Sequence, residues 1–315
     1  MKPIGGYFEL ELNHFTEYHT EAIALNTARN ALEYVLRANE YQKIYIPYYT
    51  CEVILEPIKK ANIEFEYYHI DKGFLPIVEA IENNAVLLYT NYFGICDKLV
   101  ELAARKFNRV IVDNTQSFYS LPVNSISTFY SCRKFFGVPD GAYLYCARPL
   151  NQEFKTDLSE SRISHLIKRI EQGAEEGFAY FRANDASFVG QPIKRMSKLT
   201  QALMMNMDYD KIRKRRLENF FYLHDALKNI NELSLDPGSI VCPMVYPFLV
   251  NKEGARNELI NKKIFVAQYW PNVLEWVDPN SVEFYLTTHL LPLPIDQRID
   301  KSDLDRIVSN LKNYL

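Results

Sequence analysis

No run of about 18 apolar residues occurs anywhere in this 315-residue sequence, so no membrane-crossing helix is expected. No C-x-x-C pair occurs either. The cysteines, at 51, 96, 132, 146 and 242, are odd in number and widely spaced, which excludes a disulfide framework or a zinc site of the usual spacing and fits a reducing cytoplasm. The histidines show no metal-ligand spacing, so no metal is expected. Charge of one sign is also lacking. The net charge is −3, which offers no field to nucleic acid or an anionic membrane. The one basic cluster, Lys211 to Arg216, lies in a predicted helix and reads as a solvated face or as a contact to a phosphate-bearing substrate. The opening "MKPIGGYFELELNHF" carries acids and no apolar core, unlike a signal peptide. Internal repeats and low-complexity segments are absent.

What is present is a large apolar fraction, 48% of residues, enough for one large domain and a smaller one. Residues 27–40 place Ala31, Leu32, Val35 and Leu36 on one helical face. Strands are predicted at 43–47, 63–70, 85–93 and 109–113, then at "SISTFYS" and "GAYLYCA", with helices at 51–61 (Pro57 kinking or restarting it) and 97–107. This alternation predicts an α/β fold with a mostly parallel central sheet and helices on both faces. Residues 158–175 read as helix, 183–194 as a polar loop and 196–230 as one very long helical stretch. Strands near "MVYPFLV" and "IFVA", with helices at 252–262 and 302–314, predict a smaller α+β C-terminal unit. The domains are set at 1–215 and 216–315.

Ligands of such sheets sit at the carboxyl ends of the strands, and the polar residues there are few. Asp113 ends the apolar strand "RVIVD", where a carboxylate is costly unless something cationic meets it. Gln116 follows three residues on. Lys134 leaves a later strand, with Ser131 three residues before it, inside the aromatic stretch "STFYSCRKFFGVPDGAYLY". Taken alone, Asp113 and Lys134 also read as a buried ion pair. Upstream, Asn26 or Thr27 is placed to cap the helix from residue 28, leaving the N–H groups of Ala28 and Arg29 as donors for a phosphate. An ordinary cap has the same sequence signature.

In this order on an α/β sheet, these pieces resemble the DegT/DnrJ/EryC1/StrS (sugar) aminotransferase family, of the fold-type-I enzymes that use pyridoxal 5′-phosphate (PLP). The matching segments are "NTARNAL", "IPYYTCEVILEPI", "YTNYFG", "VIVDNTQSF", "FYSCRKFFGVPDGAYL", "HLLPLPID" and the helix with "IRKRRLENF", which together span nearly the whole chain. The resemblance implies an aspartate aminotransferase-like fold and a cytoplasmic aminotransferase. It would move an amino group from a donor such as glutamate to a keto sugar nucleotide, in surface polysaccharide or related biosynthesis. PLP would be held covalently on Lys134. Asp113 would meet the pyridine nitrogen, Gln116 the ring oxygen, Asn91 the ring hydroxyl, and Thr27, Ala28, Arg29 and Ser131 the phosphate. A homodimer is implied as well, with no nucleic acid or membrane partner.

The sequence departs from the family pattern in places. Ala28-Arg29 stands where the family has glycine-threonine, and Arg29 either adds a phosphate contact or points away. Strict alignment puts Cys51 at the ring-stacking position, with Tyr49 as the nearby aromatic expected to cover the ring; packing explains Tyr49 equally well. His289, Tyr269 and Trp270 are candidate substrate contacts, each with an alternative role in the core. The chain is also shorter than typical members. A PLP enzyme with a non-sugar acceptor and a non-catalytic binding protein are the competing readings.

Overall fold

In a computed structural model, which describes residues 4–315, the first half of the chain runs β1 (Ile23–Leu25), α1 (Ala28–Ala38), β2 (Lys43–Pro47), α2 (Leu55–Ala61), β3 (Glu64–Ile70), β4 (Pro76–Ile77), β5 (Ala85–Thr90), α3 (Asp97–Lys106), β6 (Val110–Asp113), β7 (Ser127–Ser131) and β8 (Ala142–Tyr145). The strands form one sheet in the order β1-β8-β7-β6-β5-β2-β3-β4. Strands β3, β2, β5, β6 and β7 run parallel. β8 and β1 extend the sheet antiparallel at one edge and β4 at the other.

The apolar runs have a two-sided logic. Alternate residues of one strand enter different cores, as the pleat requires. Ile44, Ile46, Val86, Leu88, Ile111 and Phe129 pack under α1 and α2. Tyr45, Leu87, Tyr89, Val110, Val112 and Tyr130 face an aromatic-rich core that also takes Val100 and Ala103 of α3. Helices therefore cover both faces, and the polar residues that end the central strands all lie along one edge.

Pro57 sits in the first turn of α2, after a short 3-10 turn over Glu52–Ile54, where a missing N–H costs nothing. Later the prediction and the structure part. The helix expected over 158–175 is α4 (Ser164–Glu171), stopped by Gly173 at φ 101°. A second helix, α5 (Ala174–Ala186), runs on into the first residues of the expected loop, and the rest of 183–194 is irregular as expected. The long stretch 196–230 is two helices, α6 (Lys198–Met205) and α7 (Tyr209–Leu227). Each has its own cap: Ser197 Oγ accepts from Thr200 N, and Asp208 Oδ1 from Lys211 N.

The C-terminal part has β9 (Val245–Leu249), α8 (Ala255–Asn261), α9 (Val273–Trp276), α10 (Val282–His289), β10 (Leu290–Pro294) and α11 (Lys301–Tyr314). β9 and β10 pair antiparallel. "IFVA" is not a strand: Ile264 and Val266 are buried in a third core with Phe220, Leu223, Tyr246 and Leu291, but no ladder partner reaches them. β10 carries two prolines and was not predicted as a strand. It is tolerated because the sheet has only two strands. No helix among the described residues is long and apolar enough to cross a membrane.

Candidate active site

Asp113 ends β6, opposite Thr90 of β5 and Phe129 of β7. Two residues beyond Phe129, Ser131 leads into a single 3-10 turn, Cys132–Lys134. The backbone then ties this turn to the start of α1. Gly141 N–H donates to Asn26 O (2.7 Å), and Cys132 N–H donates to Gly141 O (3.1 Å). Gly141 is required here: its φ is +112°, and a Cβ would lie 2.9 Å from a Thr200 methyl. Thus β6, the lysine turn and the N-terminus of α1 meet at one edge of the sheet.

The turn resolves the oddity of a lysine among aromatics. Phe129, Phe135 and Phe136 are buried, but Lys134 itself is exposed and forms no ion pair with any described residue. Its Nζ lies 5.9 Å from the Tyr269 ring centre. Asp113 is buried, and Thr115 N–H donates to its Oδ1 at 2.8 Å. Burial pushes its carboxyl pKa up; Thr115 and the charge of Lys134 offset this only in part. The two residues therefore lie near each other without forming the ion pair that the sequence left open.

At the start of α1, Thr27 is the cap, its Oγ1 accepting from Asn30 N at 3.1 Å. The N–H groups of Ala28 and Arg29 have no acceptor among the described residues. Arg29 settles which way its side chain goes: Nη1 pairs with Glu56 of α2 at 2.8 Å, so only its backbone N–H is offered at the helix start. Ser131 Oγ makes no hydrogen bond to a described residue.

Other candidates are occupied elsewhere. Asn91 is fully buried. Its NH2 group donates to Asp97 (2.9 Å) and Asn114 (3.1 Å), and its Oδ1 accepts from Cys96 N (3.0 Å). Those contacts use both amide hydrogens and one lone pair of Oδ1, so Asn91 is committed to bracing the turn after β5. Gln116 Oε1 accepts from Phe93 N at 2.7 Å, which leaves its NH2 group without a partner among the described residues.

Tyr49 is fully buried, packed edge-on against Trp270 (5.1 Å) and stacked with Phe74, a core position and not a ring-covering one. Cys51 is the residue of that segment nearer the lysine. Lys134 and Arg29 both favour its thiolate, although burial still raises the thiol's pKa. Trp270 is likewise in the core. His289 stacks on Tyr285 at 4.4 Å and bonds Thr288 Oγ1 at 2.7 Å, and nothing brings it to Lys134. Of the three residues expected at the substrate, Tyr269 alone meets the lysine.

Arg133, the other cation of the aromatic stretch, turns inward. It pairs with Asp185 of α5 (2.9 Å) and lies 4.8 Å over the Phe188 ring. The basic run 211–216 is exposed except for Ile212, which is half-buried, and Arg216, which is buried. No group of three or more potential metal ligands occurs among the described residues.

Solved structures with this architecture exist. A DegT DnrJ EryC1 StrS aminotransferase from Brucella abortus matches at TM-score 0.62 and 15% identity, covering 93% of this chain and 85% of that one. NtdA from Bacillus subtilis with bound cofactor PMP matches at 0.65 and 16% (93% and 73% covered). DesV of S. venezuelae, in complex with a ketimine intermediate, matches at 0.64 and 14% (93% and 84%). The chain has the fold of these aminotransferases. No family profile matches the sequence, and no curated protein matches it. The fold places its strand ends where the polar residues described above converge.

Proposed function

We propose that this chain is a PLP-dependent aminotransferase. The observation that carries the reading is Asp113, a buried carboxylate with no paired cation, beside an unpaired Lys134. The site lacks a protonated partner for the one and an electrophile for the other, and a pyridinium ring bearing an aldehyde is both. The donor set fits the rest of such a group: Ser131 Oγ and the N–H groups of Ala28 and Arg29 suit a phosphate. PLP supplies an electron sink for a carbanion at the substrate carbon.

Asp113 would hold a proton on the ring nitrogen. Lys134 would hold the group covalently, and its free amine would serve as the base and acid that carries the proton between carbons. Gln116 offers its free NH2 to the ring oxygen, and Tyr269 shapes the substrate side. Thr27 serves as the cap that presents the phosphate donors.

We read the donor as an amino acid such as glutamate and the acceptor as a keto sugar on a nucleotide, in the cytoplasm. The supporting likeness is to solved sugar aminotransferases, among them one named CalS13 from Micromonospora echinospora. A homodimer is proposed on the same likeness and on the exposed apolar side chains of α4 and α5, including Ile170 and Phe178. Lys134→Ala is expected to abolish the visible band of lysine-bound cofactor and all turnover with glutamate. A variant that keeps both would show that Lys134 is misassigned.

A second reading, a non-sugar acceptor, is motivated by the altered helix start, where Ala28-Arg29 stands in place of glycine-threonine. Presenting the aminated cofactor form with keto sugars, keto acids and aldehydes separates the two. Amination of non-sugar acceptors alone would replace the first reading by the second.

A further inference from the structure

The one buried residue in the basic run has an unusual set of partners. Arg216 of α7 is 2% exposed, and no carboxylate among the described residues pairs with it. Its Nη2 donates to the Phe135 carbonyl (3.3 Å), Nη1 to the Met244 carbonyl (3.1 Å) and Nε to Gln297 Oε1 (3.1 Å). The guanidinium also lies 4.6 Å over the Phe135 ring. Gln297 Nε2 donates to the same Phe135 carbonyl at 2.9 Å. Phe135 directly follows Lys134 and closes its 3-10 turn, its N–H donating to Cys132 O. Two donors from two C-terminal segments thus converge on the carbonyl of the residue that follows the lysine.

The chain of bonds goes further. Met244 N–H donates to Phe93 O at 2.8 Å, and Phe93 N–H donates to Gln116 Oε1. Arg216 is therefore the hub of a continuous path, from the Lys134 turn through Met244 and Phe93 to Gln116. Burying a cation without an anion is expensive, and an apolar side chain of similar volume is usually the more stable choice. A fork with five N–H donors is spent here on holding carbonyls in place, a geometry that lysine's point charge does not reproduce.

We propose that Arg216 and Gln297 are positioning residues for Lys134, fixing the Phe135–Phe136 peptide that closes its turn and thereby the reach of its amine. The inference rests on the aminotransferase reading of Lys134. Its first arm, however, needs no cofactor: hydrogen exchange of the 132–137 backbone in full-length wild type, Arg216→Met, Arg216→Lys and Gln297→Ala. Exchange is expected to quicken about tenfold or more in both Arg216 variants and less in Gln297→Ala. Arg216→Met leaves the Met244 carbonyl and Gln297 Oε1 without their donor, so exchange is compared after normalising to each variant's global stability in chemical denaturation.

The second arm follows attachment of added PLP to Lys134, trapped by borohydride and located by peptide mass. Attachment should slow about tenfold or more in Arg216→Met. Because both residues act on one carbonyl, adding Gln297→Ala to that variant should slow it little further. Wild-type exchange and attachment in a folded Arg216→Met, or full rescue by Arg216→Lys, would overturn the proposal. If wild-type Lys134 takes no PLP, the aminotransferase reading falls, and the exchange arm alone still decides whether Arg216 holds the turn.

Discussion

Two buried acids lie on either side of Lys134, and their surroundings differ completely. Asp140, in the turn before β8, accepts from Ser197 N (3.0 Å), Ser197 Oγ (2.7 Å) and Thr200 Oγ1, which fastens the start of α6 to the lysine turn. Asp113, at the end of β6, has a backbone donor at 2.8 Å and a pKa raised by burial. One carboxylate is fully met by its own chain; the other is left for something the chain does not contain. Burial alone does not mark a functional acid. Burial with acceptor sites left open, beside an exposed lysine, is what distinguishes Asp113.

That contrast can be broken at either acid. The largest effect is expected at Asp113. Asp113→Asn should lower turnover with an amino donor by about a hundredfold or more, because the ring nitrogen loses its partner. The same substitution should leave the cofactor-free protein as stable as before, or more so, near neutral pH. The sign follows from linkage: with its folded pKa raised, Asp113 binds more protons folded than unfolded, so its contribution declines as pH rises from about 3.8 through the folded value. A steeper loss of stability above that window in the asparagine variant, followed by denaturant midpoint against pH, would contradict this account.

Asp140→Ala should show the reverse profile. Three donors lose their acceptor and α6 loses its anchor, a cost of about 3 kcal/mol in chemical denaturation. Any protein that remains folded and loaded should bind PLP through an unchanged Asp113. If Asp140→Ala loses turnover without losing stability, the two acids have been assigned the wrong way round.

A finer test concerns His19, buried against the same sheet. Its Nε2–H donates to Phe118 O (2.8 Å), and Tyr145 OH bonds its Nδ1 (3.1 Å). Burial lowers its pKa from 6.5 to about 4. The unfolded chain takes up the proton first, so stability present above pH 6.5 is lost as pH falls toward about 4, by about 3 kcal/mol in all. His19→Gln should flatten that acid limb. An unchanged limb would assign it to other groups.

The elements that position the site were largely legible in the sequence. The strands ending at Asp113 and Ser131 follow from continuous apolar runs, and the α1 start from Thr27, because strand burial and capping are local rules. What was not legible depended on direction. Nothing local says that Arg29 would turn to Glu56, twenty-seven positions later, or that Asn91 would spend all its polar atoms on Asp97, Asn114 and Cys96. Tyr49 was chosen because an aromatic suits a planar ring, but the bend after β2 turns it into the core and leaves Cys51, the residue that strict alignment had put at the ring-stacking position, on the side of the lysine. The mistaken strand at "IFVA" had the right alternation and no neighbour to pair with. Arg216 looked like one charge among several, and its partners lie 28 and 81 residues away.

The helix start that presents Ala28 and Arg29 has a consequence for how the molecule is made. Asn26 N–H donates to Lys194 O, Asn26 Oδ1 accepts from Lys194 N, and Met196 N–H donates to Ala24 O. A nascent chain that has not yet delivered Lys194 and Met196 has the capping threonine and the helix, but not the backbone contacts that hold their approach in place. The site is therefore completed late in synthesis, although its first residues are among the earliest made. Capture of an anion at α1 would report that the chain has been translated past these residues.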